Sequence, residues 1–470
     1  MGDTLELRSP IDGTVYAQRV SKSSAGVGSM ISRAQAAQRR WRDVGLTERS
    51  DIVERAYAAL EQQSGTLAVE LAWQMGRPVR HGAGEVARAA ERARHMLGLA
   101  EVSTCEMLIG PQRSIRWEPV GVVLVVAPWN YPYLTATNAI VPALVSGNAV
   151  ILKHSFQTAI VAERIAAAFD AAGLPSDLFQ VLHCSNATTL ETIARPEFGR
   201  IVFTGSVAVG RLVAAAAAAN FTPVTLELGG KDAAYVCEDA DIDQAIEGLA
   251  DGAFFNSGQS CCGIERIYVA RSCFDRFVEG MAEQARALRL GNPLDPLVTL
   301  GPMARSEGAD FVRRQVADAV AAGARRVLGD RGSAVPDRGN YLSPDILIDV
   351  DHRMSLMRAE TFGPVVGVVP VASDTEAEDL INDSPYGLTA SVWTVNGNRA
   401  RRIGDRLNVG TVYQNRCDFL DPALPWSGRG ESGAGLSLSH LAYESFNHPK
   451  SRLGWSPPTA AKPTSLNVVT

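Results

Sequence analysis

A cysteine closes the stretch Gly258-Gln259-Ser260-Cys261, directly after Phe254-Phe255-Asn256. A glycine-containing turn can expose a sulfur, and a thiol whose pKa starts near about 8.5 becomes a nucleophile once it loses its proton. A buried cysteine packed as a small hydrophobe is the common alternative; the flanking Ser and Gln argue against an apolar core here. A carboxylate, Glu227, sits in the apolar strand end Leu226-Glu227-Leu228, just before Gly229-Gly230-Lys231. Burial would raise its pKa toward neutrality and make it a usable general base, whereas on an exposed strand edge it would be an ordinary acid. An amide, Asn130, lies in Pro128-Trp129-Asn130-Tyr131-Pro132, after an unbroken apolar run. The carboxyl end of a strand is where open α/β sheets bind ligands, and an amide N–H there can hold an oxyanion. A turn asparagine between prolines is the simpler alternative.

Two further stretches suit a cofactor. Phe203-Thr204-Gly205-Ser206-Val207-Ala208-Val209-Gly210 reads as strand, turn and helix start. The free N–H groups and partial positive charge of a helix N-terminus suit phosphate, and Ser206 can cap the helix or reach a phosphate oxygen. The glycine spacing is longer than G-x-G-x-x-G, so taken alone this is more simply a strand-to-helix turn. Glu360-Thr361-Phe362-Gly363-Pro364 places an acid and an aromatic at a turn into a strand. Alone it reads as a loop acid and a core phenylalanine.

These groups need a scaffold that brings them together. Apolar residues at helical spacing predict helices over 29–40, 50–63 and 84–99. Ser114-Ile115-Arg116-Trp117 alternates as a half-exposed strand does, and Val120–Ala127 is apolar throughout, as in a strand covered on both faces. Strand and helix then alternate: strands over 149–153, 179–183, 200–203 and 224–228, with helices over 158–172 and 207–219. A second alternating block after Gly230 has helices over 242–254, 273–288 and 305–322 and strands over 266–270, 365–371 and 391–394. The rhythm is that of parallel β-α units in a doubly wound sheet. The tail segment Leu466–Val469 could add a strand elsewhere.

The chain has 470 residues, 46% hydrophobic and 20% charged, enough to bury a large core without a metal or disulfide staple. With 45 Lys+Arg against 51 Asp+Glu the net charge is −6, which argues against a nucleic-acid binder or an anionic-membrane binder. No apolar run approaches membrane-spanning length, and the first residues have no apolar core of a secretory leader. Seven cysteines point to free thiols in a reducing compartment, so a cytoplasmic location is expected.

Taken together, the motifs occur in an order that resembles the NAD(P)-dependent aldehyde dehydrogenases. The matching stretches are Pro128–Asn130, Lys153, Phe203–Gly210, Leu226–Lys231, Phe254–Cys261, Glu360–Pro364 and Ser432–Gly435. The resemblance implies Cys261 as nucleophile, Glu227 as the base that activates the hydrolytic water, and Asn130 as an oxyanion donor. It implies cofactor contacts from Trp129, Lys153, Gly205, Ser206, Gly210, Leu228, Gly229, Glu360 and Phe362. NAD is the expected cofactor. Phe156 stands where many NAD-preferring relatives carry a ribose-binding Glu, which leaves NADP open. No metal is implied. The presence of Glu227 favours hydrolysis over transfer of the acyl group to coenzyme A.

By the same resemblance an aldehyde funnel draws on Tyr131, Leu134, Thr135 and Asn138, on Ser260 and Cys262, and on Arg416, Asp418, Phe419 and Leu420. Arg416 and Asp418 are expected to pair with each other. The implied fold is α/β: a Rossmann-type cofactor domain (1–100 and 120–229), an α/β catalytic domain (230–432) and a small β oligomerisation arm with tail (101–119 and 433–470). A homodimer or homotetramer follows from that arm. The same Cys, Glu and Asn would also suit a thiol esterase, and a catalytically silent binding protein on this fold is the third reading.

Overall fold

The computed structural model describes residues 3–329 and 339–454. The predicted tail strand at 466–469 lies outside them. The described residues build two mainly parallel sheets, one small three-stranded antiparallel sheet and two short antiparallel pairs.

The strand Val122–Ala127 is buried at all six positions because both of its edges and both of its faces are covered. It pairs in parallel with Ala149–His154 on one edge and Arg200–Thr204 on the other. Phe179–Val181 extends the first side and Val224–Glu227 the second. The chain therefore moves outward in one direction, returns, and continues in the other. That reversal opens a crevice beyond the carboxyl ends of Val122–Ala127 and Arg200–Thr204. Asn130 follows the first of these strands and Ser206 the second.

The second sheet has seven strands, ordered Arg325–Arg326, Asp345–Ile348, Val365–Val371, Ile264–Ala270, Asp232–Val236, Thr389–Trp393 and Thr411–Gln414. All pair in parallel except the first, which is antiparallel. The third sheet joins Met107–Gly110, Arg113–Pro119 and Asn447–Leu453.

Most predicted elements form, with shifted ends. The helix predicted over 29–40 runs Ser24–Trp41, started by the Ser23 hydroxyl accepting from the Gly26 N–H. The long helix predicted over 84–99 runs Val79–Thr104. A helix at Ser64–Met75, which periodicity did not flag, is ended by Gly76 in the left-handed conformation. Its apolar face is broad, so it lacks a clean polar stripe. The stretch expected as arm and tail divides differently. Glu101–Thr104 finish the long helix, and Gly433–Ala434 add an antiparallel edge to the cofactor sheet beside Leu226–Glu227. Residues His440–Phe446 fold back on the long helix, where the Tyr443 hydroxyl donates to the Met96 carbonyl at 2.7 Å.

The largest apolar core joins the N-terminal helices to the cofactor sheet and takes in Cys262, Leu388 and Trp426 from beyond residue 230. Residues before and after position 230 thus share packed side chains beside the crevice, which fixes groups from both stretches in one frame.

Candidate active site

The crevice is a cavity of about 1200 Å³. Cys261, Glu227 and Asn130 all line it. So do Trp129, Gly205, Ser206, Leu228, Gly229, Glu360 and Phe362, and so do the expected funnel residues Tyr131, Leu134, Asn138, Ser260, Cys262 and Leu420. Lys153 and Gly210 do not. Lys153 is the penultimate residue of the neighbouring strand Ala149–His154, and Gly210 sits in the first turn of Val207–Ala218, where a Cβ would meet Leu228 at 2.6 Å.

Three segments distant in sequence meet at Gly229-Gly230. A Cβ on Gly229 would lie 2.2 Å from a Glu360 carboxylate oxygen, and one on Gly230 would lie 2.7 Å from the Cys261 carbonyl oxygen. Only hydrogen at those positions lets the acid-bearing strand, the cysteine segment and the Glu360 turn approach this closely. Glu360 accepts from the Gly230 N–H at 3.2 Å, and burial, with the nearby Glu265, pushes its pKa up to about 8. The Glu360 turn is itself held from below. Glu265 accepts from the N–H groups of Thr361 and Phe362, each at 2.8 Å, and pairs with Lys231 at 2.5 Å.

The cysteine is presented by a strained turn. Asn256, Ser257 and Gly258 are all left-handed, with φ of 54°, 57° and 67°. Two of these are not glycine, a conformation that persists only when surroundings enforce it. Those surroundings are explicit. The Asn256 amide donates to the carbonyls of Gln259 (3.2 Å) and Asn130 (3.3 Å). The Gln259 side chain donates to the Asn256 carbonyl and accepts from the Ala304 N–H at 2.9 Å. Asn130 is 5% exposed, and its amide donates to the Gln259 carbonyl at 3.2 Å, which uses one of its two N–H groups.

Glu227 is buried, 8% exposed. Thr204 donates its hydroxyl to Oε2 at 3.0 Å, while among the described residues Oε1 has no donor within hydrogen-bonding geometry. Burial raises its pKa; Ser437, Thr204 and the Arg92 charge act in the opposite direction. This is the environment expected for a general base.

In the funnel the expected Arg416–Asp418 ion pair does not form. Arg416 stacks on the Phe419 ring, 3.4 Å from its centre. Asp418 instead accepts from the Ser260 hydroxyl at 2.7 Å and the Cys262 thiol at 2.9 Å. Phe419 offers a cation–π face next in line, and the Asp418 carboxylate finds its donors on the cysteine segment.

Sequence reading missed Arg77 and Glu85. Arg77 is 1% exposed and donates to the Asn256 side chain at 3.1 Å and to the Asn130 carbonyl at 2.6 Å. It also pairs with Glu85 and lies over the Tyr131 ring at 4.5 Å. Glu85 accepts from the Tyr133 N–H at 3.0 Å, capping the helix Pro132–Val145 that starts just after Asn130. A signal was present: Gly82, Glu85, Val86, Ala89, Arg92, Ala93 and Met96 form one buried helical face, with two charges on it.

The matrix of features fits a dinucleotide. Ser206 occupies the N-cap position of Val207–Ala218 without a side-chain cap bond, and it lines the crevice. The comparison with known proteins agrees: the model of the "Aldehyde dehydrogenase family" matches residues 1–451. The chain belongs to this family. A mitochondrial aldehyde dehydrogenase of Leishmania tarentolae is 34% identical over 458 residues, covering 96% of this chain and 91% of that protein. A succinate semialdehyde dehydrogenase [NAD(P)+] of Escherichia coli strain K12 is 32% identical, covering 89% of this chain and 91% of that one. The structure of an NADP-dependent glyceraldehyde-3-phosphate dehydrogenase from Bacillus halodurans, complexed with NADP, superposes with a TM-score of 0.90 at 31% identity, covering 96% of this chain and 95% of that one. The expected α/β aldehyde dehydrogenase fold is therefore correct. As an NAD(P)-dependent aldehyde dehydrogenase, the protein oxidises aldehydes to acids with NAD or NADP. Among the described residues no helix is long and apolar enough to cross a membrane, and no His, Cys, Asp and Glu group could hold a metal.

Proposed function

We propose that this aldehyde dehydrogenase works through a covalent adduct on Cys261 that is hydrolysed with Glu227 as general base. The observation that carries this reading is that a half-buried cysteine, a buried acid of raised pKa and a buried amide line one cavity. The Cys261 thiolate attacks the aldehyde carbon, forming a C–S bond. The carbonyl oxygen becomes an oxyanion held by the Asn130 amide and the Cys261 N–H. When bound, the dinucleotide supplies the acceptor for the hydride that leaves this carbon. The oxidised carbon is then a thioester of Cys261. Glu227 Oε1, without a donor among the described residues, takes a proton from the attacking water, and the acid leaves as the C–S bond breaks. Splitting the oxidation this way replaces one difficult step by two easier ones.

Ser206 and the first-turn N–H groups of its helix would hold the dinucleotide phosphates, with Gly205, Gly210, Leu228 and Gly229 shaping that floor. Glu360, Phe362 and Trp129 would hold the nicotinamide half. The Trp129 and Phe362 rings meet edge to face at 5.6 Å. Tyr131, Leu134, Asn138, Ser260, Cys262 and Leu420 would line the aldehyde's approach. A cytoplasmic location and a homo-oligomer belong to the same reading.

The test is Cys261→Ser with a short aliphatic aldehyde and either dinucleotide, followed at the reduced-nicotinamide absorbance. Oxidation should fall by at least about 10³-fold while dinucleotide binding is retained. Unchanged turnover would refute the assignment. Ester hydrolysis by the unaltered protein with no reduced nicotinamide from any aldehyde would favour the thiol esterase.

A further inference from the structure

We propose that Arg305, acting with Lys153 and Ser155, binds a phosphate on the adenosine ribose and makes NADP the preferred dinucleotide. This rests on the NAD(P)-dependent reading above and narrows it.

In a mononucleotide-binding sheet, the strand beside the central one ends next to the adenosine ribose. An acid there bonds the ribose 2′-hydroxyl, whereas an arginine accommodates a 2′-phosphate. In this protein that strand is Ala149–His154, parallel to the central Val122–Ala127. It runs into Lys153-His154-Ser155-Phe156, and the Ser155 N–H donates to the Ala127 carbonyl at 2.8 Å, tying the turn to the central strand's end. No carboxylate occupies this turn. The Phe156 ring faces away, edge to face with His183 at 5.8 Å. His154 is buried, with its ring nitrogens against the Pro132 carbonyl and the Thr158 hydroxyl.

A guanidinium arrives from the other domain. Arg305 immediately precedes the helix Ser306–Ala321. Its side chain reaches back to donate to the Ser155 hydroxyl at 3.2 Å and lies 5.9 Å from the centre of the Trp129 ring. Arg305 remains exposed, while Lys153 is 9% exposed. Among the described residues neither cation has a carboxylate oxygen within 4 Å. Glu307, in the first turn of the helix that Arg305 precedes, acts on it through its charge, and among the described residues the two form no ion pair. The two cations repel: burial and then the Arg305 charge disfavour the protonated Lys153.

Two like charges brought together without a counter-ion cost free energy that a ligand anion can recover. A phosphate monoester is doubly charged near neutrality and matches the planar fork of a guanidinium, with an ammonium and a hydroxyl as further donors. A bare ribose hydroxyl would satisfy none of this charge. The arrangement therefore favours the phosphorylated ribose.

The experiment is calorimetric titration of the full chain, without aldehyde, using adenosine 2′,5′-bisphosphate and adenosine 5′-monophosphate as probes. The bisphosphate should bind about tenfold tighter or better, as one or two charge-assisted contacts allow, and the advantage should shrink with added salt. Arg305→Gln should remove most of that advantage and leave 5′-monophosphate affinity unchanged. Ser155→Glu, which places a carboxylate beside Arg305, should do the same and shift preference toward NAD. Equal affinity of the two probes for the unaltered protein overturns the proposal, as does an advantage that survives Arg305→Gln. Aldehyde oxidation at saturating NAD and NADP separates the two readings. Oxidation without a 2′-phosphate preference overturns this inference alone; no oxidation with either dinucleotide overturns the function it rests on.

Discussion

At the scale of single residues, chemistry depends on what surrounds each group more than on its type. Glu227 is one of 51 acidic residues, distinguished by burial and by the Thr204 hydroxyl bonded to one of its oxygens. Its raised pKa has a definite sign for activity. In the proposed mechanism the base must be ionised, so thioester hydrolysis should be full at high pH and fall as pH drops through a value above the ordinary carboxylate range. A pH profile of ester hydrolysis, which also requires the deacylation step, reads this limb. Glu227→Gln should erase the limb and slow turnover by about 10²–10⁴-fold. A limb that persists in that variant would assign it to another group. Removing the Thr204 donor by Thr204→Val should move the limb further up, since that hydroxyl favours the charged form.

At the scale of elements, the site depends on how a helix start and two loops are joined. Arg77 bonds the Asn130 carbonyl and the Asn256 side chain, and its partner Glu85 caps the helix that follows Asn130. These contacts hold Asn130, the proposed oxyanion donor, and the cysteine turn in one register. Arg77→Lys keeps a charge for Glu85 but cannot serve three acceptors with the same planar fork. We expect kcat to fall by about 10–100-fold, the usual consequence of a small misplacement, with dinucleotide affinity little changed. Parallel loss of affinity and rate would indicate general loosening instead. Glu85→Gln should lower thermal stability strongly, because it leaves Arg77 as a buried charge without its counter-ion. Part of this element was legible beforehand. Glu85 and Arg92 fall on the apolar stripe of the long helix, and charges in that position need a buried partner.

At the scale of the whole molecule, the small antiparallel sheet carries apolar surface outward. Met107, Leu108 and Ile109 are 42%, 52% and 54% exposed, on a strand that is an edge of its sheet among the described residues. Exposed edges of this kind invite pairing with another chain. The homo-oligomer named under the proposed function would place this sheet between copies. Leu108→Lys with Ile109→Lys should reduce the solution mass measured by light scattering toward the 50.2 kDa of one chain. A single-chain mass for the unaltered protein would remove the oligomer from the reading. The domain limits expected from sequence are blurred at this scale, since Gly433–Ala434 complete the cofactor sheet from far along the chain.

The sequence by itself determined the alternation of strands and helices and the local identity of each motif. Hydrophobic period and turn residues act over a few positions and are written in order along the chain. The cysteine, the acid and the amide were legible for the same reason, because each sits in a short stretch with its own turn chemistry. Tertiary structure alone decided which distant segments touch. Nothing local in Arg77 or Arg305 announces that one bonds both the Asn130 and the Asn256 segments and the other crosses to Ser155. Nor does anything near Asp418 foretell that it bonds Ser260 and Cys262 in place of Arg416. Those pairings follow from how two sheets pack across a shared core, and packing is a property of surfaces that exist only after the chain has folded.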